Sequence, residues 1–166
     1  MGRLLVGAVG VLVLAVACSE DTPPTGEAPG LPDGDRVRVE RIVDGDTLVV
    51  ADDRRVRLTG IDTPETVDPR RPVQCFGKAA SRELERLLPD GTGVVLVYDV
   101  DRLDRYGRTL AYVYRASDAL FVNESLVRNG FAQAYTVPPN VEHADDFVAW
   151  EREARERGAG LWSACD

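Results

Sequence analysis

Histidine is almost absent from this chain of 166 residues; His143 is the single one. One imidazole excludes a ribonuclease-style mechanism in which two of them exchange protons. The three cysteines, Cys18, Cys75 and Cys165, are scattered too widely to offer zinc-ligand spacing. No apolar run reaches the ~20 residues needed to span a bilayer; the longest, Leu4 to Val16, falls short. An excess of positive charge is also missing: 20 Lys and Arg against 28 Asp and Glu leave −8, and from Arg36 onward 19 basic residues face 23 acidic ones. Strong nucleic-acid binders are usually basic, so any such binding here must rely on local clusters and be weak and salt-sensitive. There is no internal repeat, and the length allows one domain of ~130 residues with a sizeable core.

What is present begins with a processing signal. Arg3 followed by Leu4 to Val16 has the charge, length and small-residue ending of a secretory signal peptide over residues 1–17. Ala15-Val16-Ala17 is an acceptable cleavage site, and the next residue, Cys18, stands where bacterial lipoproteins carry a diacylglyceryl anchor. Leu14 lies four residues before that cysteine, and Ala15 occupies the place where the lipobox has leucine. Lipidation at Cys18 and attachment to a cell membrane are expected; a soluble secreted protein with a spare thiol is the alternative. Residues 18–35 are rich in Pro, Gly and acidic side chains, with Leu31 the one large apolar residue, and read as a disordered linker. As a flexible coil such a tether averages roughly 23 Å, and at full stretch about 58 Å. With Cys18 lipidated, Cys75 and Cys165 remain as an even pair in a compartment where disulfides persist. Two independent thiols are the other possibility.

The folded part is expected over residues 36–166. β-Branched runs at Arg36 to Val43 and Leu48 to Val50 flank Asp44-Gly45-Asp46-Thr47, a strand, turn, strand pattern. Asp52-Asp53 turns the chain into a third strand, Arg55 to Ile61, where Val56 and Leu58 share one face and Arg57 points the other way. Lys78 to Leu88 has a helical apolar face of Ala80, Leu84, Leu87 and Leu88, and Pro89-Asp90-Gly91 stops it. Val94 to Tyr98 and Thr109 to Tyr114 read as strands. A short helix is expected from Asn123 as cap to Gly130. A longer one runs from Glu142 to Arg157, with Phe147, Trp150 and Ala154 on one face and Glu151/Arg155 and Glu153/Arg157 at i,i+4 spacing. His143 falls at its start and is expected on the surface. Periodicity alone establishes a small mixed β and α domain.

Chemistry concentrates in three runs: Asp44-Gly45-Asp46-Thr47, Arg57-Leu58-Thr59-Gly60-Ile61-Asp62-Thr63-Pro64-Glu65-Thr66, and Asp104-Arg105-Tyr106-Gly107-Arg108. They supply the hard-oxygen carboxylates Asp46, Asp62 and Glu65 and two guanidinium forks, Arg57 and Arg108. Crowded carboxylates call for a cation, and arginine forks match phosphate oxygens bidentately. Oxygen ligands on turns and strand ends suit calcium better than magnesium, which demands an octahedron. Each run alone has a plain structural explanation: Asp-Gly is common hairpin chemistry, and Pro64 suits a helix or turn start.

Their joint occurrence, in this order and spacing, resembles the staphylococcal nuclease (thermonuclease) family from about Arg36 to Trp162. That resemblance implies an OB-fold, a five-stranded β-barrel with about three helices, whose faces and loops bind nucleic acid. It implies calcium held by the side chains of Asp46 and Asp62 and the carbonyl of Thr63. Glu65 then positions or deprotonates the attacking water, while Arg57 and Arg108 hold the phosphate. Asp44, Arg105, Tyr106 and Tyr135 complete the surroundings as neighbours of the ligands or contacts for substrate. The implied activity is calcium-dependent hydrolysis of DNA and RNA, single strands favoured, by a monomer leaving 3′-phosphorylated products. A non-catalytic OB-fold module binding nucleic acid or a partner is the competing class, and the presence of every site residue speaks against it.

Overall fold

The computed structural model describes Ala28 and residues 30–67, 69–70 and 72–165. The expected signal peptide, the Cys18 lipidation site and the linker up to residue 27 lie outside the described residues. Among the described residues no helix is long and apolar enough to cross a membrane.

Five strands form the barrel: β1 (Asp35–Ile42), β2 (Thr47–Val50), β3 (Arg55–Leu58), β5 (Gly93–Val97) and β6 (Thr109–Arg115). Their hydrogen-bonded order is β3-β2-β1-β5-β6, and a parallel pairing of β3 with β6 closes the ring, leaving none of the five with a fully open edge. β1 serves both neighbours: Asp35 to Arg38 pair with β5, and Val39 to Ile42 pair with β2. The register slips between Val39 and Arg41, a bulge that bends β1 from one partner to the other. Two short strands, β4 (Ile61–Asp62) and β8 (Gln133–Ala134), form a separate antiparallel pair, and β7 (Leu120–Phe121) extends the sheet beyond β6.

Alternation decides which side chains fill the barrel. Val56 and Leu58 of β3 are buried while Arg57 between them is only partly so. Val39, Leu48, Val50, Val94, Leu96 and Val113 join them in one core. Helix α1 (Gly77–Leu87) adds Ala80, Leu84 and Leu87, with Leu88 just beyond, as the apolar spacing requires. Helix α2 (Val122–Arg128) adds Leu126 and Val127, and α3 (Ala144–Glu156) adds Phe147. A fourth helix, α4 (Leu161–Ala164), follows; it is too short to show a period in sequence.

Several expectations are corrected. The strand Arg55 to Ile61 breaks at Gly60, whose φ of +80° suits glycine and whose missing Cβ makes room for the Phe147 ring. The break separates β3 from β4, so Asp62 belongs to a second, two-stranded sheet and not to the barrel. Asn123 does not cap α2: Phe121 precedes the helix, and Asn123 is fully buried, accepting from Val113 N–H (3.0 Å) and donating to Thr59 C=O (2.9 Å). His143 is not a free surface residue. Its ring stands edge-on to Tyr112 at 4.7 Å and close to Phe121. Glu151 pairs with Arg155 as expected (2.6 Å), but Glu153 takes Arg128 of α2 (2.6 Å) instead of Arg157. The folded part begins earlier than Arg36: Ala28 N–H donates to Ala116 C=O, and Asp35 opens β1 and accepts the Tyr98 hydroxyl (2.6 Å). Cys75 and Cys165 are disulfide-bonded, with Cα atoms 5.9 Å apart, joining the approach to α1 to the end of the chain.

Candidate active site

The turn between β1 and β2 places the first carboxylates. Asp44 Oδ1 accepts Asp46 N–H (3.1 Å), a local turn bond that fixes the backbone of Asp46. Asp46 is 5% exposed and has every carboxylate oxygen engaged. Its Oδ2 accepts from the N–H and the hydroxyl of Thr63 (2.8 and 2.9 Å), and its Oδ1 faces the Thr47 hydroxyl (3.1 Å) and Arg57 Nε (3.2 Å). Two residues 17 apart in sequence are thereby locked together.

Arg57 is shared out more widely than its place in a strand suggests. Besides Asp46, it donates to Asp62 Oδ1 (2.6 Å) and to the carbonyls of Leu58 (2.9 Å) and Ile61 (2.8 Å). One guanidinium therefore lies between the two carboxylates that the family resemblance assigns to metal. Negative charge is crowded here. Burial, and then the charge of Asp46, push the Asp44 carboxyl up to about 6. Burial above all raises Asp62; Arg57 pulls the other way, the charges of Asp46 and Glu65 add to the rise, and the carboxyl ends above its ordinary value.

β3 and β6 run parallel with Val56 opposite Thr109, so Arg57 on β3 and Arg108, immediately before β6, fall one residue to either side of that pair. Arg108 is set by its own turn. Asp104 accepts the N–H of Tyr106 (2.8 Å) and of Arg108 (2.9 Å) and, through Oδ2, Arg108 Nε (2.6 Å). Burial alone would raise Asp104, but these bonds and the Arg108 charge hold it below the ordinary carboxylate value. Tyr106 is 68% exposed and has the guanidinium carbons of Arg105 and Arg108 at 4.7 and 5.5 Å from its ring centre.

These pieces line one open groove of about 1050 Å³, which holds Asp44, Asp46, Asp62, Thr63 and Glu65 together with Arg57, Tyr106 and Arg108. A pocket of about 430 Å³ adjoins it and shares Arg57, Tyr106 and Arg108, adding Arg105, Leu103 and Tyr135. Tyr135 is brought there by its N–H on Gly60 C=O (2.9 Å), at the break between β3 and β4. Arg70 also lines the groove. All ten residues of the expected site and its surroundings thus fall in two connected hollows. Sequence reasoning missed Asp104, quoted in its motif but given no task. It also missed Asp101 and Asn140, whose reciprocal bonds (2.7 and 2.8 Å) hold one pocket wall, and Gln74, which accepts Glu65 N–H (2.8 Å). For the last three the sequence carried no local signal, because each acts on a partner beyond the reach of a helical or strand period, nine residues away for Gln74 and 39 for Asp101 and Asn140.

Among the described residues no three His, Cys, Asp or Glu side chains gather as a metal cage. Two carboxylates plus a backbone carbonyl remain as candidate oxygen ligands, a donor set of the hard type that suits calcium with water completing its shell.

Comparison with known proteins converges on one family. The profile described as staphylococcal nuclease homologue matches residues 55–164. A thermonuclease of Staphylococcus intermedius is 42% identical over 132 residues, 78% of this chain and 77% of that protein. A thermonuclease of Staphylococcus hyicus is 35% identical over 165 residues, covering 96% of this chain and 95% of its own. Endonuclease YncB of Bacillus subtilis is 39% identical over 76% of this chain and 61% of its length. With a closed five-stranded barrel, these motifs and that extent of identity, the chain belongs to the staphylococcal nuclease family.

Proposed function

We propose that the chain is a hydrolase, an endonuclease of the thermonuclease type, cutting phosphodiester bonds in DNA and RNA with a bound calcium ion. The observation that carries this is the meeting of Asp46 and Asp62 on one guanidinium, with Arg108 along the same groove. The residues fit the ion: both carboxylates already converge on one positive group, and the raised Asp44 and Asp62 show negative charge that a divalent cation would relieve. Asp46, Asp62 and the Thr63 carbonyl would hold it. Bound there, calcium supplies fixed positive charge beside the phosphate.

The chain's own residues then divide the reaction. Glu65 orients a water and takes its proton. The water oxygen bonds to phosphorus, the bond from phosphorus to the 5′ oxygen breaks, and that oxygen leaves taking a proton from solvent water, so the phosphate stays on the 3′ side. Arg57 and Arg108 hold the phosphoryl oxygens, and their planar forks meet the charge that grows as phosphorus becomes five-coordinate. Exposed Tyr106 and Tyr135 beside the smaller pocket suit stacking of an unpaired base, which favours single strands. The protein is proposed to act as a monomer, exported and held at a membrane through lipid on Cys18.

The test is release of acid-soluble nucleotides from denatured DNA and from RNA, with calcium, with magnesium and with chelator. Activity in calcium, little in magnesium and none in chelator is expected. Undiminished hydrolysis in excess chelator would remove the metal from the reading.

A further inference from the structure

Glu65 opens a loop whose two ends are fastened to each other. Gln74, nine residues on, accepts Glu65 N–H at its side-chain oxygen (2.8 Å) and donates its own N–H to Glu65 C=O (2.9 Å). Both main-chain polar groups of Glu65 are therefore held by one residue. The carboxylate is tied as well: its Oε1 accepts the N–H groups of Thr66 (2.8 Å) and Val67 (2.7 Å).

The base on which Gln74 stands is anchored by three different kinds of contact. Its carbonyl accepts Gly77 N–H (3.1 Å) at the entrance to α1. The next residue, Cys75, is covalently joined to Cys165, and the one after, Phe76, packs its ring on Phe131 at 5.4 Å. Gly77 completes the seat. A Cβ there would stand 2.6 Å from the Thr66 methyl and 2.8 Å from Pro64 C=O, so glycine alone lets α1 lie this close to the backbone around Glu65. Against these fixed points, Gln74 itself is exposed.

We infer that Gln74 is a positioning residue for Glu65, transmitting the rigid base of the loop to the carboxylate that handles the attacking water. The inference rests on the reading of Glu65 proposed above. Because Gln74 is exposed, water replaces its lost bonds and the fold loses little. Glu65, in contrast, must present its oxygen to a water within a few tenths of an ångström. A misplacement of that group by about 1 Å costs up to about a hundredfold in rate. The signature is a loss in kcat with KM, metal affinity and melting temperature preserved.

Five proteins test it: wild type, Gln74→Met, Gln74→Glu, Glu65→Gln, and Gln74→Met combined with Glu65→Gln. Methionine keeps the side-chain length and removes the acceptor; glutamate keeps an acceptor oxygen. With denatured DNA and calcium, Gln74→Met is expected to lower kcat by between about ten- and a hundredfold at unchanged KM. Gln74→Glu should restore most of it. Added to Glu65→Gln, Gln74→Met should change nothing further, since the group it positions is already gone. An equal fractional loss in both backgrounds, or a kcat for Gln74→Met within about twofold of wild type, overturns the inference while leaving the nuclease reading intact. If Glu65→Gln itself turns over like wild type, the role of Glu65 falls and this inference falls with it.

Discussion

Replacing Arg57 by methionine removes one positive charge and leaves the volume nearly unchanged, so its effect reads out the guanidinium alone. The side chain is 12% exposed and touches two carboxylates and two carbonyls. The partners contribute unequally. Asp62 is 56% exposed on its side chain, so its half of the arrangement is screened and worth only about 0 to 1 kcal/mol. Asp46, at 8%, is buried; stripping the partner from a buried pair costs about 3 to 5 kcal/mol. At roughly 3 °C per kcal/mol for a domain of this size, the melting temperature in chelator should fall by about 10 to 15 °C. Calcium at the same oxygens would return positive charge to Asp46 and Asp62, so the variant should gain more from calcium than wild type does. Arg57→Lys separates the two tasks: the charge near Asp46 returns and much of the stability with it, but the fork is lost, and turnover should stay down by on the order of 10² to 10³. Melting in chelator and in calcium, with nucleotide release alongside, is the assay. A methionine variant that melts within about 2 °C of wild type in chelator would refute the counter-charge argument. A lysine variant within about threefold of wild-type turnover would refute phosphate contact by Arg57.

Arg108→Lys should behave differently, because its guanidinium is 30% exposed, serves its own turn at Asp104, and keeps a positive charge as lysine: turnover should fall by on the order of 10² to 10³ with a melting temperature within a few degrees of wild type. Asp104→Asn tests that turn by pH. Its native value lies below 3.8, so the carboxylate contributes stability above that pH and loses it as acid takes the pH down through the native value. The asparagine variant should therefore be less stable at neutral pH and lose less of its stability between pH 5 and the acid limit, as read by melting at a series of pH values. Cys75→Ser should lower stability by about 2 to 4 kcal/mol, since the bridge closes a loop with a sequence separation of 90. Equal denaturant midpoints for the two proteins under non-reducing conditions would show that the bridge adds nothing.

Sequence alone carried whatever depends on near neighbours. Strand alternation put Val56 and Leu58 in the core with Arg57 on the other face, helical spacing found Leu84 and Leu87 on α1, and the Asp-Gly run marked a turn, because these signals are local periods and local φ preferences. The candidate site residues other than Tyr135 could be picked out for the same reason: they cluster in three short runs. Tertiary structure alone decided the partners. Asn123 looked like a helix cap because caps are local, yet its amide was claimed by Val113 and Thr59 across the core. His143 looked exposed until Tyr112 and Phe121 packed beside it, and Glu153 chose Arg128 on another helix over a neighbour one turn away. Gly60 ended a strand that ran smoothly in sequence, because the Phe147 ring needed the space. Arg57 read as one fork awaiting a phosphate; closing β3 onto β6 and bending the chain at Gly60 made it the charge that Asp46 and Asp62 share. A sequence states which groups are available at each period, but which of two satisfactory partners a buried group takes depends on distances that exist only once the barrel closes.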